Sequence, residues 1–290
     1  MRKLFCIVVM CVWTAAAYGE EASLIPEKTL RLSFMETAGS ADGGFLANLG
    51  YGAEYGISNW LNLQLTWADG VKLHPDFFAG SMGFAIKGFI LGEGALVSAG
   101  EKMRVSAALG LLLPPPDDKP DYISQDQGMW GSAMRIYGDY IINNYFFINL
   151  YYEGVFYPPQ YQSSDVAEYR NWVRHFQDFI FELEGHFQYP LNNGFILRAG
   201  VPLKFFCAPY MNASDDYATS QYVLSSGAYV GLTFPGNVPP GELYLKYNAN
   251  IFGHNIALAH RVSVVLKISL PPINKQKAEN GEPEDDGNSE

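Results

Sequence analysis

Cysteine is scarce in this 290-residue chain, and two of its three cysteines, Cys6 and Cys11, lie in the apolar N-terminal stretch. Cys207 is the only thiol in the remaining sequence, so no internal disulfide can form there. The small, disulfide-stapled scaffold of many secreted domains is therefore excluded.

Long apolar runs and excess positive charge are also lacking. After the N-terminal stretch, no apolar run approaches the roughly 20 residues that a transmembrane helix needs. The formal net charge is −11, whereas proteins that bind nucleic acids usually present a basic face. We therefore expect no nucleic-acid partner.

Signatures of cofactor and metal sites are missing as well. The sequence has no glycine-rich phosphate loop and no dinucleotide fingerprint. The histidines do not occur at metal-ligand spacing; they are His74, His175, His186, His254 and His260. We therefore expect neither a cofactor nor a metal ion.

The N-terminal stretch, MRKLFCIVVMCVWTAAAYG, has the three parts of a secretory signal. Arg2 and Lys3 form its positive start, residues 4–13 form its apolar core, and small residues precede Gly19. We predict that residues 1–19 are a signal peptide and that the mature chain is exported.

Aromatic residues are abundant, at 15% of the chain, and they recur on alternate positions. In the stretch DFIFELEGHFQY at 178–189, one row comprises Phe179, Phe181, Leu183, Gly185, Phe187 and Tyr189. The other row comprises Asp178, Ile180, Glu182, Glu184, His186 and Gln188. This alternation predicts a β-strand with one apolar face and one polar face.

The same two-row pattern predicts about twelve strands, with 8, 10 or 14 as alternative counts. The strands are predicted at 28–37, 44–57, 60–68, 81–91, 102–113, 131–142, 145–157, 176–189, 195–206, 221–234, 242–252 and 256–270. Most exceed the usual five to six residues of a globular strand and approach the 9–11 that cross a bilayer.

The charged residues of the predicted strands occupy the polar row almost throughout, and they include Lys87, Arg104 and Asp139. If that row faced water outside a closed soluble barrel, the aromatic row would overfill the interior. The pattern therefore predicts that the apolar row faces lipid and the charged row faces the lumen. The expected fold is an all-β, antiparallel up-and-down transmembrane barrel.

The connections between predicted strands alternate in length. Short connections include Ser58-Asn59, Asn143-Asn144 and the turn around Asn192, whereas 114–130 and 158–175 are long. In this pattern the chain resembles bacterial outer-membrane β-barrels, which have short periplasmic turns and long external loops. The resemblance covers nearly the whole mature length and includes no diagnostic motif. It implies the outer membrane of a diderm bacterium, a lipid bilayer, the outer-membrane assembly machinery and a monomeric porin-like channel.

Two departures from this class concern the chain ends. Leu270 ends the last predicted strand where an aromatic residue is usual, and residues 271–290 form an acidic tail. We predict a barrel over 20–270 and a disordered periplasmic tail over 271–290. Only about ten residues separate the predicted cleavage site from the first strand, which is too few for a plug domain.

A mixed-charge constriction is the predicted functional site. The predicted registers place Arg135 level with Glu153, His186 level with Arg198, and Glu182 near Lys204. The proposed lining is Arg135, Glu153, Glu182, Glu184, His186, Arg198, Lys204 and Arg261. Such a lining would filter small polar or charged solutes, although the same pairs could simply stiffen the wall.

Two other functions are compatible with the pattern. A non-conducting barrel could present its acidic, Tyr-rich loops to a surface partner. An outer-membrane hydrolase would need a catalytic group such as a lipid-facing His and Ser on one strand. His260 faces lipid, but Val262 follows on the same face and Ser263 points inward. His175 and Asp178 at the external rim are equally weak evidence for a catalytic pair. We therefore expect no enzymatic activity.

Overall fold

The computed structural model describes residues 22–41, 44–72, 77–78, 82–92, 100–113, 131–156, 160–161, 172–173, 178–208, 221–235, 241–254 and 259–270. The predicted signal peptide and acidic tail lie outside these residues. In the described part of the chain, no helix is long and apolar enough to span a membrane.

Strands dominate the described structure. The long strands are β1 (Leu30–Ala41), β2 (Gly44–Ser58), β3 (Leu61–Lys72), β5 (Met82–Leu91), β6 (Met103–Leu113), β7 (Gly131–Ile141), β8 (Phe146–Phe156), β11 (Asp178–Pro190), β12 (Ile196–Ala208), β13 (Gln221–Phe234), β14 (Gly241–His254) and β15 (Ala259–Leu270). Three two-residue strands lie between them: β4 (Phe77–Phe78), β9 (Gln160–Tyr161) and β10 (Trp172–Val173).

The long strands form one closed antiparallel barrel of twelve strands. Each long strand pairs with its neighbours along the chain, and β15 returns to pair with β1. Leu30 lies opposite Leu270 in that closing pair, so the barrel begins and finishes at the same end. The predicted fold class and the predicted count of about twelve strands are confirmed.

The predicted start of the first strand is wrong. The strand begins at Leu30 instead of residue 28, because a turn precedes it: the Thr29 amide donates to the Pro26 carbonyl at 3.2 Å, and Lys28 has a φ of 61°. The strand then continues to Ala41, well beyond the predicted residue 37.

The two ends of the barrel differ in their connections. One end, called the turn end here, contains the connections 59–60, 92–102, 142–145, 191–195 and 235–240 together with Leu30 and Leu270. The opposite end, called the loop end, contains the longer connections 114–130, 157–177 and 209–220. Most of the length alternation predicted from the sequence is therefore present. The exceptions are the short connections 42–43 and 255–258 at the loop end and the long connection 92–102 at the turn end.

The barrel has the opposite polarity to a soluble protein. Its outward row is apolar and exposed, as at Leu109 and Ile86, which are 66% and 51% exposed. Its inward row contains the buried polar side chains, including Arg104 and Asn62. Soluble monomers rarely expose apolar patches beyond a few hundred Å², so an apolar band around the whole barrel requires an apolar surrounding such as lipid.

Aromatic side chains flank this apolar band. At the turn end, Trp60 is exposed, and the rings of Tyr145 and Tyr189 stack at 6.2 Å between centroids. At the loop end, Tyr222 stacks on His254 at 5.5 Å. Amphipathic rings at both ends of an apolar band are typical of the girdles that lie at membrane interfaces.

The barrel lumen as the candidate functional site

The lumen wall concentrates most of the charged side chains of the strands. Nine cationic residues whose side chains the structure describes lie on the inward row: Arg31, Lys87, Arg104, Arg135, Arg198, Lys204, Lys246, Arg261 and Lys267. Six described carboxylates share it: Glu54, Asp139, Glu153, Glu182, Glu184 and Glu242. The wall is thus positive by three charges, although the whole chain has a net charge of −11. Glu36 is an exception, since it lies on the outward row.

The turn-end half of the lumen is packed with paired charges, and we call this layer the floor. Glu242 lies between two cations, with Arg198 at 3.7 Å and Lys267 at 3.3 Å. Arg104 donates two hydrogen bonds of 2.9 Å to the carboxylate of Glu101. The side chains of Arg104 and Arg198 are fully buried. Burying such cations is tolerable only because carboxylates and hydrogen bonds compensate the lost hydration.

The segment before β1, residues 22–29, forms part of the floor. The Ala22 amide lies 3.2 Å from the Asp139 carboxylate, and Ala22 packs with Ala85, Ala108 and Tyr137 of the inward row. Ala22, Leu24 and Ile25 are 0–2% exposed. The segment therefore lies inside the barrel.

Two cations of the wall hold this segment in place. Lys87 donates to the Ser23 carbonyl at 3.1 Å, and Arg104 donates to the Ser23 hydroxyl at 3.1 Å. Gly56 permits the close approach of the segment to β2, because a Cβ there would lie 2.0 Å from the Pro26 oxygen. Residues 22–25 thus occupy part of the lumen.

The loop-end half contains a second group of charges on β7 and β8. Arg135 donates to Glu153 at 2.5 Å, and the Tyr151 hydroxyl donates to the same carboxylate oxygen at 2.5 Å. Tyr137 packs beside Tyr151, with ring centroids 5.2 Å apart. Arg135 and Glu153 are direct partners in the β7–β8 register, as predicted.

A further polar network joins β11 to β13. The Tyr229 hydroxyl donates to Glu184 at 2.6 Å and also lies in close contact with Nδ1 of His186. The ring of Tyr229 lies flat against Gly200 of the neighbouring strand, where a Cβ would meet it at 2.4 Å. The tyrosine therefore lines the wall and does not project across the lumen.

The prediction that His186 lies level with Arg198 is wrong, whereas the prediction that Glu182 lies near Lys204 is confirmed, because the two residues are opposite each other in the β11–β12 register. Arg198 lies opposite Gln188, and His186 lies opposite Gly200. The connection 191–195 sets this register. It has left-handed backbone conformations at Asn193 and Gly194, with φ of 82° and 80°, and the Leu191 amide bonds to the Phe195 carbonyl.

The sequence interpretation missed the partners that Arg198 does have. Its guanidinium reaches over β13 to the Tyr244 hydroxyl at 3.1 Å and to Glu242, both on β14. Glu242 is the first residue of its predicted strand and directly follows the turn-favouring residues Pro239, Pro240 and Gly241. Its position at the strand end therefore gave no clear indication that it faces inward. Only the alternation through Tyr244 and Lys246 could have indicated it.

The loop-end half also contains inward side chains that remain accessible. Met35 is 40% exposed although it lies on the inward row, and Thr66 and Arg261 are exposed as well. Within the part of the chain that the structure describes, Lys204, Lys246 and Arg261 form no ion pair. This half is therefore accessible, and it holds cations that form no ion pair with the described carboxylates.

The outer face shows no His–Ser pair at His260. The His260 ring instead lies 2.8 Å from the Tyr247 hydroxyl, whereas Ser263 faces the lumen and bonds to Thr37 at 2.8 Å. His175 and the side chain of Asp178 lie outside the described residues. Among the described side chains, no three His, Cys, Asp or Glu residues are grouped as a metal ion would require.

Comparison with known proteins identifies the fold. The chain matches no family model and no curated protein. It superposes on an outer membrane channel from Pseudomonas putida F1 with a TM-score of 0.65 and 9% identity, over 86% of this chain and 98% of that chain. The beta domain of a Bordetella autotransporter gives a TM-score of 0.50 and 12% identity, over 84% and 99%. The chain therefore has the fold of outer-membrane β-barrels.

Proposed function

We propose that the protein is a porin-like channel of a bacterial outer membrane that passes small polar or charged solutes. The observation that supports this proposal most directly is the closed wall of twelve strands, apolar outside and charged inside. A charged lumen filters solutes by sign and size through the field of its lining. The accessible inward residues of the loop-end half are where a solute would enter.

The proposal includes the processing and placement of the chain. Residues 1–19 are removed as a signal peptide, residues 20–270 form a monomeric barrel inserted by the outer-membrane assembly machinery, and residues 271–290 are a periplasmic tail. The turn end then faces the periplasm, because barrels of this kind have their short turns and both chain ends on that side.

Conduction requires a rearrangement at the floor. Residues 22–29 and the paired charges around them occupy the periplasmic half of the lumen. Residues 22–26 are held by a few hydrogen bonds and one small apolar cluster, whereas Lys28 and Thr29 also bond to the backbone of Gly56 on β2. Residues 22–26 can therefore leave while these bonds to β2 remain. We propose that their displacement opens the path.

The same packed floor favours a second candidate, which is a non-conducting barrel that presents its external loops to a surface partner. In that case residues 22–29 would stay in the lumen permanently, as the hydrophobic core residues of a soluble protein stay buried. The strands would serve only as a membrane anchor.

Single-channel recording in planar bilayers distinguishes the two candidates. The mature chain and a variant lacking residues 20–26 would be refolded and inserted under the same conditions. The channel proposal predicts discrete openings for the mature chain and a severalfold larger, more stable conductance for the variant. A variant with Lys28→Gln, which changes an exposed side chain in the part of the segment that the deletion keeps, should conduct like the unmodified protein.

The outcome against the channel is equally specific. If the mature chain and the deletion variant are both folded but silent at all voltages, the barrel is non-conducting and the second candidate stands. Folding is verified separately by the β-sheet circular dichroism of each refolded protein.

A further inference from the structure

We infer that the loop-end half of the lumen contains a binding site for small multivalent oxyanions, centred on Lys246 and Arg261. The role of this site in transport rests on the proposed channel function, but its existence does not. The ligand class is a compact solute with two or more carboxylate or phosphate charges.

The first argument concerns the charge balance. Among the inward carboxylates, Glu54 pairs with Arg31, Glu153 with Arg135, and Glu242 with Arg198 and Lys267. Asp139 accepts from the amide of Ala22, and Glu184 accepts from Tyr229. Lys246 and Arg261 form no ion pair with any described residue, although Glu184 is close enough to interact with the charge of Lys246. Glu182 lies opposite Lys204. The three cations Lys204, Lys246 and Arg261 therefore share two carboxylates, Glu182 and Glu184, and this part of the wall keeps a positive excess.

The second argument concerns the position of the two cations. In the β14–β15 register, Lys246 lies opposite Ser263 and Arg261 lies opposite Asn248, so the two cations are diagonal neighbours on the same face. Diagonal positions are about 7–8 Å apart. Two cations at that distance repel each other, and an anion placed between them removes this repulsion.

The third argument concerns how each cation is held. The stem of Arg261 rests on Gly39 of β1, where a Cβ would approach its Cγ to 3.1 Å. The Lys246 ammonium lies 5.1 Å and 5.6 Å from the ring centroids of Tyr229 and Tyr244. Arg261 is therefore positioned by an uncharged neighbour, whereas Lys246 rests on two rings and also interacts with the charge of Glu184. Contacts with rings leave the ammonium charge available to a ligand.

The fourth argument concerns access. Arg261 is exposed and Lys246 is half-buried, and both face the open half of the lumen. The floor cations Arg104 and Arg198 are instead fully buried and paired. A solute that enters from the loop end meets Arg261 first and Lys246 one step deeper.

The test is titration calorimetry of the refolded mature barrel in neutral detergent at low salt, because salt screens such interactions. Citrate and inorganic phosphate are the probes in separate arms. We expect saturable binding of at least one of them, and affinity reduced by about tenfold or more in the double variant Lys246→Gln/Arg261→Gln. The matched control is Lys102→Gln, which removes one cation exposed at the turn end outside the lumen.

The conservative variant Lys246→Arg/Arg261→Lys keeps both charges and should retain binding, which separates loss of the site from loss of folding. Citrate binding without phosphate binding assigns the site to carboxylates, and the reverse assigns it to phosphates. Absence of binding by the unmodified barrel, or equal weakening by Lys102→Gln, would overturn the inference. A silent barrel that binds citrate contradicts the channel alone, whereas a conducting barrel without binding contradicts the site alone.

Discussion

The two halves of the lumen are made from the same strands and the same residue types, yet their charges are organised differently. In the floor, Arg198 and Glu242 are buried and paired, and Ala22, Leu24 and Ile25 are buried inside the barrel. In the loop-end half, Lys246 and Arg261 are accessible and form no ion pair with a described residue. An inward charge therefore does not by itself indicate a transport role.

The energetic difference between the halves follows from hydration. A buried ion pair compensates for lost hydration, and removal of one partner leaves a charge that is neither solvated nor paired. An accessible charge is solvated by lumen water, so its removal changes little in the folded state. We therefore expect stability to depend on the floor and selectivity to depend on the loop-end half.

The largest expected difference between the halves is in chemical accessibility. Ser225 lies on the inward row of the loop-end half and is half-buried, whereas Ser106 in the wall near the floor is fully buried. In a mature chain with Cys207→Ser, the Ser225→Cys variant should react with a charged maleimide roughly 100-fold faster than Ser106→Cys, because a buried thiol reacts only after local opening. Comparable rates would show that the floor is open to water.

The next largest effect is on stability. Glu242→Gln leaves Arg198 and Lys267 without their shared carboxylate, so the free energy of unfolding should fall by about 3–5 kcal/mol. Lys204→Gln removes a partly accessible cation that forms no ion pair with a described residue, so it should change the free energy of unfolding by no more than about 0.5 kcal/mol. Reversible urea unfolding in lipid vesicles measures both. Similar values for the two variants would contradict the division between the halves.

The smallest effect is on ion preference. Neutralising Glu182 and Glu184 together removes two negative charges from the loop-end half, so the reversal potential in a salt gradient should shift towards anions. Glu27→Gln serves as the carboxylate control because Glu27 is exposed in the turn before β1, at the turn end and not in the loop-end half. Unchanged selectivity together with lower thermal stability would assign the glutamates a structural role only.

Much of the architecture was predictable because strand alternation is local. The two rows of β8 and β11 appear directly in the sequence, and they predicted which side chains face outward. The pairing of Arg135 with Glu153 was predictable too, because the short connection 142–145 leaves little freedom in register. The pairing of His186 was not, because the connection 191–195 is longer by one residue and contains two left-handed positions.

The amino-acid order alone was sufficient for the strands, their two faces and the inverted polarity, because each depends on neighbours two residues apart. The floor depended on the closed barrel. Ala22 meets Asp139 across 117 positions of sequence, and Arg198 meets Glu242 across an intervening strand. Such contacts form only after the strands have paired and the barrel has closed. A local sequence pattern does not specify which distant strands become neighbours. The same closure separates the cations with buried partners from Lys246 and Arg261, which remain available to solutes.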